Sequence, residues 1–230
     1  MDKQQFMNGV KDCVPTLLGY LSIGFAAGII EKTAGLSIAE IALLSTLVYA
    51  GSAQFIFAGM ITASSTAAGI VATIFFVNLR HLLMSAALSP YFRKLSPVKN
   101  MLIGSLLTDE TFGVASNQAA SENKIHPSWM HGLNVTAYLN WILANVAGAV
   151  FGQWITDPEG FGLDFALPAM FIGLLALQMV SRKKYAVDIT VGISAAIVGV
   201  GCGLLFSSSI AIIAATLSAA TIGSVIEKWK

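Results

Sequence analysis

The residues of this 230-residue chain with most chemistry to offer are charges set among apolar neighbours. Arg80 interrupts two runs without Asp, Glu, Lys or Arg, 41–79 and 81–92, and His81 follows it directly. Asp109 and Glu110 stand between the apolar stretch 101–107 and the weakly apolar stretch 112–120. Arg80 lies 13 residues before the basic loop at Arg93, and Asp109 lies 10 residues beyond Lys99 at that loop's other end. At a helical rise of about 1.5 Å per residue, both sit roughly 15 to 20 Å from one interface and can meet. Arg80 paired with Asp109 or Glu110 would lock two helices in register. His81 and the remaining carboxylate would then be left to exchange protons or to hold the charged ends of a substrate. Proton coupling is therefore expected from His81, Asp109 and Glu110, and substrate binding from Arg80.

A second polar interruption, Tyr49-Ala50-Gly51-Ser52-Ala53-Gln54-Phe55, falls near the middle of an apolar stretch. Small and polar residues there either unwind a helix and offer its backbone to a ligand or allow a close helix crossing. The amide of Gln54 needs a partner, which favours binding, and Tyr49, Gly51, Ser52 and Gln54 are the substrate-side candidates. Asn134, Tyr138, Trp141 and Asn145 recur at helical spacing, so they line a cavity or join helices by hydrogen bonds, with Asn134 and Trp141 as binding candidates. Tyr20, Trp129, Trp154 and Tyr185 read as interfacial belt residues. Cys13 and Cys202 have no metal-type spacing and read as small buried hydrophobes. A phosphate-binding glycine loop and a glycine-flanked serine nucleophile are both missing from the sequence, so an enzyme, a metal site and a cofactor are not expected.

The surroundings of these residues define their solvent. The chain is 56% apolar and 11% charged, against about 25% charged in a soluble domain. A net charge of +1 offers no field for nucleic acid. The uncharged runs place spans at 14–30, 38–62, 67–89, 130–155, 164–181, 187–206 and 209–227, with turns at Ser64-Ser65-Thr66 and Ser207-Ser208-Ser209. An all-α polytopic membrane protein of seven such spans is expected, as one domain over 1–230. The polar segment 100–121 is either re-entrant or an eighth span. As a span, with the N-terminus inside, it leaves eight loop cations inside and four outside. As a re-entrant segment, with the N-terminus outside, it puts ten inside and only Lys3 and Lys11 outside, the distribution that the positive-inside rule prefers. The punctuation of 13–79 is echoed in 165–226, as a pseudo-repeat would be. The polar first twelve residues and the absence of a small-residue cleavage pattern argue against a removed signal peptide.

Three ordered motifs, 49–55, Asn78-Leu79-Arg80-His81 and Leu107-Thr108-Asp109-Glu110, resemble the AzlC family, the large subunit of branched-chain amino acid exporters. The resemblance covers essentially the whole chain. It implies a multi-pass protein of the bacterial cytoplasmic (inner) membrane that exports leucine, isoleucine, valine and methionine under a proton gradient. It also implies a small AzlD-like four-helix membrane subunit as partner. Its motifs carry over Asn78, Arg80, His81, Asp109 and Glu110 as the family's polar positions, Asn78 joining the substrate-side candidates. A zwitterion needs a cation or helix N-terminus, a carboxylate and an apolar pocket; Arg80 and Asp109 or Glu110 would supply the first two, and Tyr49, Phe55 and Phe76 the third. A passive channel or pore for a small polar solute is the alternative.

Overall fold

The computed structural model describes residues 2–152, 154–155, 160, 162, 165, 168–169, 172–173, 175–176, 179–180, 183–205 and 208–228. They fall into two compact units, Met1–Met170 and Phe171–Lys230. The first holds α1 (Lys3–Thr33), α2 (Ile38–Leu47), α3 (Gly51–Thr62), α4 (Ala67–Leu88, prolonged by a 3-10 turn to Phe92), α5 (Pro97–Ser105), α6 (Asp109–Glu122) and α7 (Pro127–Gly152). The second contains α8 (Tyr185–Leu205) and α9 (Ser208–Lys228), packed together where Gly199 meets Ala215 and Gly203 meets Ala211. Half of the span expected at 164–181, and Ser207 of the second turn, lie outside the described residues.

The spine of the first unit is α1 against α7, and glycine explains how close they come. A Cβ on Gly9 would collide with the Trp129 carbonyl, on Gly28 with that of Asn145, on Gly132 with that of Phe6 and on Gly148 with that of Phe25. Contacts therefore advance in both helices together, from Phe6 beside Gly132 to Ile29 beside Gly152, and the helices run parallel. Small residues at a crossing let backbones touch where lipid offers no hydrophobic drive for association. Outward, large side chains face the lipid: Val71, Phe75, Leu82 and Leu83 of α4 are each more than 60% exposed.

The stretch 38–62, expected as one span, is a hairpin. Tyr49 takes φ 44° and Ala50 is extended, which ends one helix and starts another. The second arm then returns along the first: Phe57 and Ile61 of α3 share a groove with Ala34, Leu36, Glu40 and Leu43. A straight helix would carry Ile61 about 30 Å from Glu40. The segment 100–121 is re-entrant in the same way. Lys99 at the start of α5 lies near His131 in the first turns of α7, while α6 ends at Glu122, next to where α7 begins. Both arms thus open on one face.

Up to Gly152, the described residues of unit one read span, hairpin, span, hairpin, span. The hairpin 38–62 with α4 and the hairpin 97–122 with α7 enter from opposite faces, an inverted pair. The proposed repeat of 13–79 in 165–226 rests partly on residues outside the described ones. The hairpin at 38–62 also corrects the orientation. It places the start of α1 on the face of Arg93, Lys94, Lys99 and Lys124, and leaves Lys32 on the other. Among the described residues, four helices are long and apolar enough to cross a membrane: Lys3–Thr33, Ala67–Phe92, Pro127–Gly152 and Tyr185–Leu205. Trp154 and Tyr185 are exposed as belt residues should be, but Tyr20 and Trp129 are each 2% exposed and belong to the core. Helix packing claimed them: Trp129 Nε1 donates to Asp12 (2.7 Å), and Tyr20 is bonded within the pocket described next.

Candidate functional site

The two hairpins bring their breaks to one place. Ala50 caps α3 without a side-chain hydrogen bond, so the first N–H groups of that helix have no intrahelical or capping acceptor. Thr108 caps α6 and forms a capping box with Thr111, which leaves Asp109 and Glu110 in the first turn of α6. Between these helix starts lies a pocket lined by Tyr20, Tyr49, Ala50, Gly51, Arg80, His81, Thr108, Asp109, Glu110 and Trp141.

Arg80 spans the gap between the hairpins. Its Nη1 meets Asp109 Oδ2 at 2.7 Å, and its Nη2 donates to Ser52 Oγ at 2.6 Å. Each partner of the ion pair keeps about a quarter of its side chain exposed, at 24% and 22%. Glu110 is tied elsewhere: its Oε2 accepts from the Tyr20 hydroxyl at 2.9 Å, and Tyr20 is also hydrogen-bonded to Thr108. His81 lines the same pocket, and its Nε2 is buried without a hydrogen-bond partner. Tyr20 and Trp141 stack edge to face at 5.5 Å, and Trp141 packs on Gly51. One pocket therefore presents a guanidinium and an uncapped helix start opposite two carboxylates, with aromatic walls between. Its volume is about 20 Å³, room for one water.

Of the residues expected at the site, Tyr49, Gly51, Arg80, His81, Asp109, Glu110 and Trp141 meet here, and Ser52 reaches it through Arg80. Gln54, Asn78 and Asn134 do not line it. Gln54 is fully buried behind Trp141; its Oε1 accepts from Trp141 Nε1 (2.7 Å), and its Nε2 lies within hydrogen-bonding reach of Glu31, Ser45 and Asn145. Asn134 donates to the Ile103 carbonyl (3.0 Å) and so anchors α5 to α7. Tyr138 donates to the Thr46 carbonyl (3.0 Å), so most of the amide and aromatic stripe joins helices. Phe55 is packed in the core and Phe76 is 53% exposed on the outer surface, neither lining the pocket. Sequence reasoning missed Tyr20, placed in the belt, and Thr108, whose role appears only once Leu106 and Leu107 are seen to break the hairpin. The described residues hold no group of three His, Cys, Asp or Glu arranged for a metal.

Long apolar helices and outward-facing aliphatic side chains define a multi-pass membrane protein, with a polar pocket among its helices. The chain belongs to the AzlC protein family, whose model matches residues 15–155 and so encloses every pocket residue. It is 30% identical to the inner membrane protein YgaZ of Escherichia coli strain K12, over 91% of this chain and 85% of that one. It is 28% identical to an uncharacterized membrane protein of Archaeoglobus fulgidus, over 97% and 94% of the two chains. With the branched-chain amino acid transport protein AzlC of Bacillus subtilis strain 168 it shares 26% identity, over 80% of this chain and 72% of the relative. No solved structure matches it.

Proposed function

We propose that this chain is the large subunit of a secondary active exporter of branched-chain amino acids (leucine, isoleucine and valine) and of methionine, driven by protons and working with a small AzlD-like four-helix membrane subunit. Family membership and the name of the Bacillus relative support the substrate class. The observation that carries the reading is the pocket's opposed charges. The substrate carboxylate is received by Arg80 and the N–H groups at the start of α3, as anions are at helix N-termini. The ammonium is received by Asp109 and Glu110, and the aliphatic side chain packs on Tyr20, Tyr49 and Trp141.

In this reading Tyr49, Gly51, Ser52, Arg80 and Trp141 touch substrate, and His81, Asp109 and Glu110 handle the proton. Gln54 and Asn134 hold the walls. A pocket with room for one water cannot hold valine, so the hairpins separate to load it and close again. A pocket too small for its substrate favours alternating access over a passive pore. The whole chain, 1–230, acts as one transport domain.

The test is counter-flow of labelled valine in proteoliposomes holding both subunits, with and without an imposed pH gradient. Exchange is expected with valine, leucine, isoleucine and methionine, and the gradient should drive accumulation above equilibrium. Gradient-independent leakage that never concentrates valine would replace the exporter with the pore.

A further inference from the structure

A second polar cluster lies outside the pocket, toward the face on which α1 ends. Glu31 is 0% exposed. Its Oε1 accepts from Gln54 Nε2 at 2.9 Å, while its Oε2 is buried with no hydrogen-bond partner. The group facing it is Gln54 from α3, whose amide also lies within reach of Ser45 from α2 and Asn145 from α7. The charged side chains at this end turn elsewhere: Lys32 Nζ donates to the Leu36 carbonyl (3.4 Å), and Glu40 bonds to Ser37. Among the described residues no cation compensates this carboxylate as burial demands, and a proton on Oε2 is the remaining way to neutralise it.

The neighbours are arranged to register such a proton. The Gln54 amide has two N–H bonds, yet three acceptors surround it: Glu31 Oε1 at 2.9 Å, Ser45 Oγ at 3.1 Å and Asn145 Oδ1 at 3.1 Å. A charged Glu31 holds one of those hydrogens strongly; a protonated one releases it to Ser45 or Asn145. On its other side Gln54 accepts from Trp141 Nε1, and the Trp141 ring forms the pocket wall against Gly51 and Tyr20. We propose that Glu31 is a proton-binding site separate from the pocket carboxylates, and that Gln54 and Trp141 convey its protonation to the pocket wall. Binding forms one O–H bond at Oε2 and neutralises one carboxylate, the proton coming from water at the face where α1 ends. The coupling half rests on the transport reading above; the proton site itself does not.

The experiment uses the two-subunit complex and Glu31→Gln, which keeps the acceptor for Gln54 and removes the proton site. Infrared difference spectra between mildly acidic and mildly alkaline buffer should show a protonated-carboxyl band that Glu31→Gln loses and Glu110→Gln retains. In proteoliposomes, valine counter-flow of the variant should stay within about twofold of wild type, while its stimulation by a pH gradient falls by roughly tenfold or more. Dicyclohexylcarbodiimide, which attacks protonated carboxyls in apolar surroundings, should modify Glu31 in the unaltered protein, less so as pH rises. That arm decides the matter even if the variant does not fold. A band and an adduct both absent from Glu31 overturn the proton site, and undiminished gradient stimulation in Glu31→Gln overturns the coupling. If the unaltered complex exchanges no branched-chain amino acid, the transport reading fails, and the infrared and carbodiimide results still decide Glu31.

Discussion

Arg80 is held from two sides, by Asp109 in one hairpin and Ser52 in the other, whereas Glu110 is held by Tyr20 alone among the pocket's longer side chains. The two neighbouring carboxylates should therefore fail differently. Asp109→Asn leaves a half-buried guanidinium without its anion, a loss of up to about 3 kcal/mol, and should lower the folded yield after detergent extraction and the melting temperature. Glu110→Gln keeps an acceptor for Tyr20, so it should extract and melt like wild type yet export poorly. Equal behaviour of the two variants would contradict this division. Gln54→Ala removes an amide with four buried polar groups within reach and should cost about 2 to 4 kcal/mol, seen as lowered thermal stability with the half-saturation for valine little changed in the surviving fraction. The encounter of Arg80 with an acidic pair was legible from equal depth on either side of one basic loop. Glu31 was not, because it closes an uncharged run and reads as a loop charge until α1 is seen to continue to Thr33.

Two kinds of helix do the positioning: broken ones that present their starts, and continuous ones that touch through glycine. The sequence marked the break at 49–55 by its small and polar residues, although the structure confines the unwound part to the residues just before Gly51 and makes the rest the first turns of α3. It marked the second break by Thr108 and the acids that follow. It could not show that each break reverses the chain, since apolar run length is the same for one span and for a folded hairpin. The α1–α7 contact supplies a test of the continuous kind. Gly148→Val drives a branched side chain into the Phe25 carbonyl and should cost about 3 kcal/mol or more, read as loss of folded protein in the membrane. Gly19→Ala, on the same α1 with nothing near its Cβ, should be neutral or slightly stabilising. Equal loss in both would mean that the two helices do not pack as described.

For the molecule as a whole, the three spans and two hairpins among the described residues of the first unit put Lys3, Lys11, Arg93, Lys94, Lys99 and Lys124 on one face and Lys32 on the other, so the positive-inside rule predicts that the first face is cytoplasmic. Single cysteines at Lys3, Lys94 and Ser96 should resist an impermeant thiol reagent added to intact cells, and one at Ser64 should react. Labelling at Lys3 but not at Lys94 would restore 38–62 as a full crossing. The charge tally pointed to a cytoplasmic Lys94 from the sequence alone, but its preferred count, with the N-terminus on the opposite side, took 38–62 as a full crossing where the chain folds as a hairpin. All of this serves the claim that the amino acid binds where the two breaks meet. Photo-leucine, a diazirine analogue of leucine, tests that claim most directly when irradiated with the purified two-subunit complex and mapped by mass spectrometry. Adducts should fall on Tyr20, Tyr49, Trp141 and their neighbours, be displaced by leucine and vanish in Arg80→Gln; leucine-displaceable adducts confined to the groove of Leu43 and Phe57, or to α8 and α9, would contradict it.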